Sequence, residues 1–337
     1  MLALLFACTS FLIDNAHGNA HGRAGEVVVA KSYDWHMGQG LVMVNKRGVE
    51  RSGLTIRPGD RPATWVSRYA SVTFNQYGRD LPIGGMNEAG LTVEVLWLDD
   101  TRYAAADDRP VVTELGWVQM QLDLAASAAE VAAGADKVRI QSDFARVHYL
   151  ACDRGGACVA VEVLDGKTVV STGARALAND RYRDSAARLA QHRGPTPPDG
   201  RGSPERFMRA SLLARAPTGD PVAAAFGVLS SVSQGDYSQW NIVYEPGRGR
   251  VSWRTRQSRT VKSLELGRFD LSCAAPVAVL DIDEPRAGDA SARFVPYARD
   301  RNRALVAESL TSMRVPDGTV ERIAAHPDSD RCAAAAH

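Results

Sequence analysis

The chain has 337 residues, a formal net charge of +1 and an apolar content of 45%. A nearly neutral chain gives no reason to expect nucleic acid or an acidic membrane surface as a partner, because both attract proteins with excess basic charge. The apolar content is enough for one large core or two small ones. No apolar run approaches the roughly 20 residues of a membrane-spanning helix. We therefore expect a globular protein without a stable membrane span.

The first feature in chain order is a short apolar segment that ends at Ala7 and is followed at once by Cys8. Residues 1–7 are too short for a complete signal peptide and lack a basic start, so we interpret them as a signal-peptide remnant or a propeptide. Cleavage after Ala7 would place a thiol and a free α-amine on Cys8, with reference pKa values of about 8.5 and about 7.7–8.0. One residue would then supply both a nucleophile and its activating base.

Three other interpretations of Cys8 remain open at this point. It is a passive first residue after signal cleavage, a lipid-attachment site within Leu-Phe-Ala-Cys, or a buried structural thiol. Its position alone does not decide between them.

The other four cysteines indicate the cellular compartment in which the protein is found. Cys152 and Cys158 bracket a turn sequence between two β-rich runs, which suits a disulfide across a hairpin, and Cys273 and Cys332 remain as a second candidate pair. Two bridges with one free thiol indicate an oxidising compartment, so a periplasmic or secreted protein is predicted. Four ordinary thiols are the alternative.

Metal ligands are sparse in the sequence. There is no CxxC pair, and the two histidines of the glycine-rich segment 17–22 have no third ligand nearby, so a flexible turn is predicted there. We expect neither a metal nor an organic cofactor.

Apolar periodicity and turn residues predict the remaining elements. The predicted strands are 25–34, 40–45, a pair within 64–77, 91–98, 146–151, 159–164, 168–171, 240–244 and 251–256. The predicted helices are 113–124, one that begins at Ser127, 183–192, 203–215 and 220–231, with a tight turn at 84–90 and a surface loop at 194–202. Strands and helices come in groups and do not alternate regularly, which favours an α+β fold of two sheets faced by helix pairs.

Five short motifs, spread along the chain in a fixed order, carry a family resemblance. They are Cys8-Thr9, Lys31-Ser32-Tyr33-Asp34-Trp35, Gly85-Met86-Asn87-Glu88-Ala89-Gly90-Leu91, Leu177-Ala178-Asn179 and Glu205-Arg206-Phe207-Met208-Arg209. Together they resemble the choloylglycine hydrolase and penicillin V acylase family, a branch of the N-terminal nucleophile hydrolases. The resemblance covers about residues 8–275. It implies a four-layer αββα sandwich, with residues 8–337 as a single domain.

The resemblance also implies catalytic roles. Cys8 would attack an amide carbonyl with its own α-amine as base, and Asp34 would hold that amine. Asn179 would donate to the oxyanion, and Arg206 would lower the pKa of the thiol by its charge. The alternatives are a strand-end carboxylate for Asp34, a helix cap for Asn179 and a solvated arginine for Arg206.

Two positions depart from the family pattern. Lys31, predicted to be catalytic, stands where the family usually has arginine, so a planar fork is replaced by a point charge. Trp97 stands where bile-salt hydrolases have asparagine, which leaves its backbone N–H as the oxyanion contact. Together with Trp35, it resembles Gram-negative penicillin V acylases that also take N-acyl homoserine lactones. Trp35, Trp97 and Met86 are predicted to bind the substrate, although core packing is an alternative for all three and is preferred for Met86.

The sequence thus predicts an enzyme that hydrolyses a linear amide of a small N-acyl substrate, of the penicillin V or N-acyl homoserine lactone (quorum-quenching) type. A bile-salt or N-acylethanolamine amidase and a non-catalytic, lipid-anchored envelope protein are the alternatives. A homo-oligomer, tetramer or dimer, is implied by the resemblance, as is a Gram-negative source.

Overall fold

The computed structural model describes residues 7–15, 26–194, 196–215, 217, 219–311, 313 and 315–334. The predicted leader up to residue 6 and the glycine-rich turn with its two histidines lie outside the described residues. Within the described residues, no helix is both long enough and apolar enough to traverse a lipid bilayer.

The part of the chain that the structure describes contains twenty-one strands and seven α-helices. The strands are β1 (Thr9–Asn15), β2 (Glu26–Asp34), β3 (Leu41–Asn45), β4 (Val49–Ser52), β5 (Thr64–Val66), β6 (Ser71–Asn75), β7 (Pro82–Asn87), β8 (Thr92–Trp97), β9 (Val111–Thr113), β10 (Arg139–Gln141), β11 (Val147–Cys152), β12 (Cys158–Leu164), β13 (Lys167–Thr172), β14 (Ala176–Leu177), β15 (Ser238–Glu245), β16 (Arg250–Thr255), β17 (Lys262–Glu265), β18 (Ala278–Asp281), β19 (Gly288–Asp289), β20 (Val295–Pro296) and β21 (Arg331–Cys332). The helices are α1 (Glu114–Leu124), α2 (Ala128–Gly134), α3 (Tyr182–Gln191), α4 (Ser203–Ala214), α5 (Pro221–Ser231), α6 (Arg299–Leu310) and α7 (Thr319–Ala325).

Two large sheets form the centre of the molecule. Sheet I has the order β14-β1-β2-β15-β16-β17-β19, and sheet II has the order β13-β12-β11-β8-β7-β6-β3-β18-β20. Smaller groups, β9 with β10 and β21-β4-β5, lie beside them. Helices α4 and α5 pack on sheet I, and α1 and α2 pack on sheet II. The predicted four-layer αββα sandwich is confirmed.

The side chains of sheet I alternate between two apolar cores, because successive residues of a strand point to opposite faces. Phe11 and Ile13 of β1 pack with Phe207 of α4. Leu12, which lies between them, faces the core shared with sheet II. In that inter-sheet core Phe74 of sheet II meets Tyr244 and Trp253 of sheet I edge to face, with ring centroids 6.1 and 6.0 Å apart.

The predicted tight turn at 84–90 is wrong over its first half. Residues 84–87 belong to β7, and the turn is confined to the residues just before Gly90, whose φ is +86°. Gly84 and Gly85 are required by close packing: a Cβ would collide with the buried Glu94 carboxyl group at the first and with the Val72 carbonyl oxygen at the second. The glycines therefore mark a crowded strand.

Both predicted disulfides are present, and Cys8 remains a free, buried cysteine. The Cys152–Cys158 bridge spans a sequence separation of 6 between β11 and β12, whereas Cys273–Cys332 spans 59 and ties β21 to the chain that precedes β18. The second bridge therefore anchors the segment that carries α6 and α7.

Removing the long-range bridge is expected to cost more stability than removing the short one. Loop-closure entropy gives about 4 kcal/mol of unfolding free energy for Cys273–Cys332 and about 2 kcal/mol for Cys152–Cys158. Denaturant unfolding of the paired serine variants (Cys273→Ser with Cys332→Ser, and Cys152→Ser with Cys158→Ser) measures both values. Equal losses would contradict the loop-length argument.

Candidate active site

Cys8 lies directly before β1 and is only 5% exposed. Thr9 pairs with Ser32 in the antiparallel ladder between β1 and β2, so Cys8 continues beside the end of β2, where Asp34 is the last residue. The backbone N–H of Asp34 bonds to the Cys8 sulfur. The register of two neighbouring strands therefore brings these two predicted residues together.

The nitrogen of Cys8 is still part of the peptide bond to Ala7, so it stands in for the α-amine that cleavage would release. It donates a hydrogen bond to Oδ1 of Asn179 at 3.0 Å. Asn179 follows β14, which pairs with β1 on the other side through Ser10 and Leu177. Strands on both sides of β1 thus supply groups around Cys8, one to its nitrogen and one to its sulfur.

The Asp34 carboxyl group is fully buried at this position. Its Oδ1 atom accepts hydrogen bonds from the hydroxyls of Ser32, at 2.7 Å, and Ser238. Its Oδ2 atom is buried and has no hydrogen-bond partner among the described residues. Burial raises the pKa of Asp34 to about 6, against the opposing hydrogen bonds and the charges of Arg206 and Lys31. The open oxygen is an acceptor suited to a nearby ammonium group.

Arg206 ties the cluster together from the first turn of α4. Its guanidinium donates to the carbonyl oxygen of Cys8 at 2.6 Å, to Oγ1 of Thr9 at 2.8 Å and to Oδ1 of Asn179 at 2.6 Å. The side chain is 2% exposed, so the alternative of a solvated helix arginine is wrong. A planar fork with several donors is well suited to fixing two acceptors at once.

Asn179 also reaches across to sheet II. Its Nδ2 donates to the carbonyl oxygen of Trp97 at 2.9 Å, which uses one of the two amide protons. The next residue, Leu98, donates its N–H to Arg146 in the direction of β11. Because backbone groups of successive strand residues point to opposite sides, the N–H of Trp97 lies on the same side as its carbonyl, next to Asn179.

Lys31 spans the gap between the two sheets. Its ammonium donates to the carbonyl oxygens of Ile83, at 2.9 Å, and Val95, at 2.7 Å, and pairs with Glu94 at 2.9 Å. These contacts occupy its three protons. The β7–β8 ladder ends at Gly84 and Glu94, so the ammonium bridges the strands where their own pairing stops. Lys31 acts on Cys8 by its charge, through space.

The pKa of the Cys8 thiol is raised to about 11, chiefly by burial. The positive charges of Lys31 and Arg206 and the Asp34 backbone N–H lower it, and the Asp34 carboxylate raises it. In the chain still joined to Ala7 the thiol is therefore protonated at neutral pH. Nucleophilic attack from this position needs a base close to the sulfur.

A cavity of about 150 Å³ opens onto Cys8 and is lined mainly by apolar side chains. Trp35 and Trp97 line it, with ring centroids 6.2 Å apart. Met86 does not: it is fully buried in the inter-sheet core. The prediction that Met86 binds substrate is corrected, because its strand position points it into packing. Trp35 and Trp97 are both at the cavity, as predicted.

One wall of this cavity comes from residues that the sequence analysis did not use. Leu310, Met313, Val315, Thr319 and Ile323 line it, from the end of α6 to α7. This segment lies beyond the region of family resemblance and gave no motif. Only the cysteine pairing, which places residue 332 beside residue 273, pointed to its return to the body of the protein.

The solved structure of a penicillin V acylase from Agrobacterium tumefaciens is similar to this chain. The two share 28% sequence identity with a TM-score of 0.75, over 86% of this chain and 98% of the acylase. This likeness and a curated relative of the same name support the resemblance to the choloylglycine hydrolase and penicillin V acylase family.

Two further comparisons concern the same family. A penicillin V acylase from Pectobacterium atrosepticum is 25% identical over 185 residues, which are 50% of this chain and 47% of that relative. The match thus spans about half the length of the curated relative. A conjugated bile acid hydrolase from Clostridium perfringens shares the fold, at 14% identity and a TM-score of 0.66, over 83% of this chain and 98% of the hydrolase. No family model matches the chain.

Four of the five motifs noted in the sequence meet at one site, whereas the motif at residues 85–91 lies in the inter-sheet core and the turn that follows it. Cys8, Asp34, Asn179 and Arg206 are linked by direct contacts, with Lys31 and Trp97 at the edge of the cluster. Among the described residues, no group of three or more histidine, cysteine, aspartate or glutamate side chains is arranged to hold a metal ion.

Proposed function

We propose that the protein is an amide hydrolase that cleaves the linear amide of an N-acyl substrate, with Cys8 as nucleophile once its α-amine is released. The observation that carries this proposal is that an acceptor holds the Cys8 nitrogen while a buried carboxyl oxygen of the neighbouring Asp34 has no partner among the described residues. The acceptor is Asn179 Oδ1, and the carboxyl oxygen is Asp34 Oδ2. An ammonium group offers more protons than a peptide N–H, so cleavage would create a donor for the open oxygen.

The reaction follows from these groups. The α-amine takes the thiol proton as sulfur attacks the substrate carbonyl, and the resulting ammonium returns a proton to the leaving amine as the C–N bond breaks. A thioester remains on Cys8, and water attacks it with the same amine as base. Asp34 holds the ammonium form, and Arg206 holds the Cys8 carbonyl and Asn179 in place.

Charge develops on the substrate carbonyl oxygen in both steps. The second Nδ2 proton of Asn179 and the backbone N–H of Trp97 are proposed as the donors to it, which assigns Trp97 the backbone role expected from the sequence. Such preorganised donors act strongly because the site is shielded from water.

The apolar cavity beside Cys8 is proposed to hold the acyl group, with Trp35 and Trp97 as its aromatic surfaces. Relatives named as penicillin V acylases support an acyl amide of the penicillin V type. The N-acyl homoserine lactone is proposed on the sequence resemblance carried by Trp35 and Trp97. The two disulfides support a periplasmic or secreted location.

The test is a hydrolysis panel on protein whose first residue has been identified by N-terminal sequencing. Amine release is measured from penicillin V, N-decanoyl homoserine lactone, glycocholate and an N-acylethanolamine. We expect the first two to be hydrolysed faster than glycocholate. Release from none of them, together with a lipid adduct on Cys8 in the intact mass, would instead support the lipid-anchored alternative.

The role of Asp34 predicts a pH dependence. Its pKa is raised to about 6 by burial, and only the carboxylate can hold the α-ammonium. As the pH decreases through about 6, kcat/KM is therefore expected to fall more steeply than protonation of the α-amine base alone would make it fall. A pH–rate profile measures this, and Asp34→Asn is expected to be poor at every pH.

The matched control is Asp165→Asn, which makes the same change on an exposed hairpin turn. It should leave the acidic limb of the profile in place. A profile that stays flat well below pH 6 would rule out the proposed function of Asp34.

A further inference from the structure

Glu114 is a carboxyl group in the wall of the apolar cavity that the mechanism does not use. It is the first residue of α1, directly after the N-cap Thr113. The residue is half-buried, but its Oε2 atom is buried and has no hydrogen-bond partner among the described residues. A buried acceptor without a partner costs free energy, so a site that keeps one has a use for it when occupied.

The position of Glu114 is fixed by the fold. Its backbone carbonyl accepts a hydrogen bond from the Tyr149 hydroxyl at 3.0 Å, and Thr113 caps the helix by accepting from the N–H of Gly116. The first turn of α1 is thus held against sheet II, which aligns the side chain with the cavity. A fixed polar group among apolar walls is the usual source of ligand specificity.

Glu114 and Cys8 both line the cavity, and the charge of Glu114 is not among the strongest that act on the thiol. The Glu114 charge acts on the phenol groups of Tyr77, Tyr103 and Tyr149. The charges that act on the Cys8 thiol come from Lys31, Asp34 and Arg206. A substrate with its amide at Cys8 would therefore meet Glu114 along its acyl group.

We propose that Glu114 recognises a hydroxyl group on the acyl chain, so that the preferred substrates are amides of hydroxylated acids. This inference rests on the proposed function, because it assumes that the cavity holds the acyl group. A neutral hydroxyl fits better than an ammonium group, since the surrounding apolar walls penalise the transfer of a charge from water more heavily.

The pKa of Glu114 is compatible with a substrate hydroxyl group as its hydrogen-bond partner. Burial raises the pKa of Glu114 to about 7, helped by the charge of Asp143 and opposed by hydrogen bonds from its own backbone N–H and from Ser142. Near neutral pH the group exists in both forms, as an acceptor and as a donor. A hydroxyl can pair with either form, whereas an ammonium group needs the carboxylate.

The experiment compares decanoyl amides of one amine, unsubstituted or with a single hydroxyl at successive carbons. For the best position, the ratio of kcat/KM between hydroxylated and plain substrate is expected to be about 10- to 100-fold higher in the wild type than in Glu114→Leu. The ratio is the readout, because it compares two substrates on one and the same variant. A merely structural role would instead lower both rates together.

Two further variants control for poor folding and for the loss of a carboxylate elsewhere on the protein. If Glu114→Leu folds poorly, Glu114→Gln makes the test with the side-chain shape preserved. It should also show a lower ratio of kcat/KM between hydroxylated and plain substrate than the wild type. Glu308→Gln removes a carboxylate from the exposed face of α6 and should keep the wild-type ratio.

The possible failures are distinct. Equal kcat/KM for plain and hydroxylated substrates in the wild type would overturn the assignment of Glu114 and leave the proposed function standing. A preference for amino-substituted acyl chains that Glu114→Gln abolishes would overturn the hydroxyl in favour of a cation. Hydrolysis of no decanoyl amide, penicillin V or lactone would overturn the proposed function itself.

Discussion

Replacing Cys8 with alanine is expected to abolish amide hydrolysis, with kcat/KM lowered by about 10⁴-fold or more. The thiol is the only free cysteine among the described residues, and it opens directly onto the apolar cavity. With alanine in its place no covalent intermediate can form, and the remaining donors can only position the substrate. Amine release from penicillin V, followed over hours at high enzyme concentration, measures the residual rate.

The same prediction extends to the peptide bond before Cys8. While that bond is intact, burial holds the pKa of the thiol at about 11 and the adjacent nitrogen cannot act as a base. Protein with residues 1–7 still attached should therefore be inactive, and the active fraction should begin at Cys8 on N-terminal sequencing. Cys8→Ser controls for packing, since it keeps the size and the free amine but supplies a weaker nucleophile. Full turnover by the alanine variant or by the uncleaved chain would refute the mechanism.

The proximity of the residues in the proposed catalytic cluster could be predicted from sequence because each of them lies in a short motif near a strand or helix end. Cys8 directly precedes β1, Asp34 ends β2 and Arg206 lies in the first turn of α4, so the backbone pattern already restricts where these side chains can meet. Their partners could not be predicted. That one guanidinium contacts both the Cys8 carbonyl and Asn179 depends on how α4 packs on sheet I.

The hydrogen-bond partners of Lys31 could not be predicted from the motif in which it lies. Its place beside Asp34 indicated a catalytic charge, but its protons are taken by Ile83, Val95 and Glu94 of sheet II. The sequence of β2 alone does not show that the β7–β8 ladder of sheet II ends opposite Lys31, at Gly84 and Glu94. The role of such a residue depends on contacts between strands that are about fifty residues apart in sequence.

The walls of the cavity were only partly predictable. Aromatic residues next to catalytic motifs, Trp35 and Trp97, are natural lining residues and do line it. Met86 has the same apolar character but faces the core, because adjacent strand positions alternate between faces. The contribution of α7 arises from a long-range disulfide and from packing of α6 on α7, which leave no periodic signal near the site.

Replacing Asn179 with alanine is expected to lower kcat by about 10²- to 10³-fold, the effect of losing one oxyanion donor. The amide does more than donate: its Oδ1 accepts from the Cys8 nitrogen and from Arg206, and its Nδ2 bonds the Trp97 carbonyl. Alanine would leave these buried groups without their partner, so the loss should lie at the upper end of that range. Single-turnover kinetics with penicillin V separate the chemical step from substrate binding.

Asn179→Asp separates two roles of the amide. The Nδ2 protons donate to the oxyanion, and Oδ1 accepts from the Cys8 nitrogen and Arg206. Aspartate keeps an acceptor for the Cys8 nitrogen and for Arg206 but removes the Nδ2 protons, so its kcat should fall nearly as far as that of the alanine variant, while KM changes little. Asn241→Ala is the matched control, because that amide bonds Arg254 and the Trp240 carbonyl. It should leave kcat unchanged. If Asn179→Asp kept wild-type kcat, the oxyanion would have to be stabilised by other donors, and the contact between Asn179 and Cys8 would be purely structural.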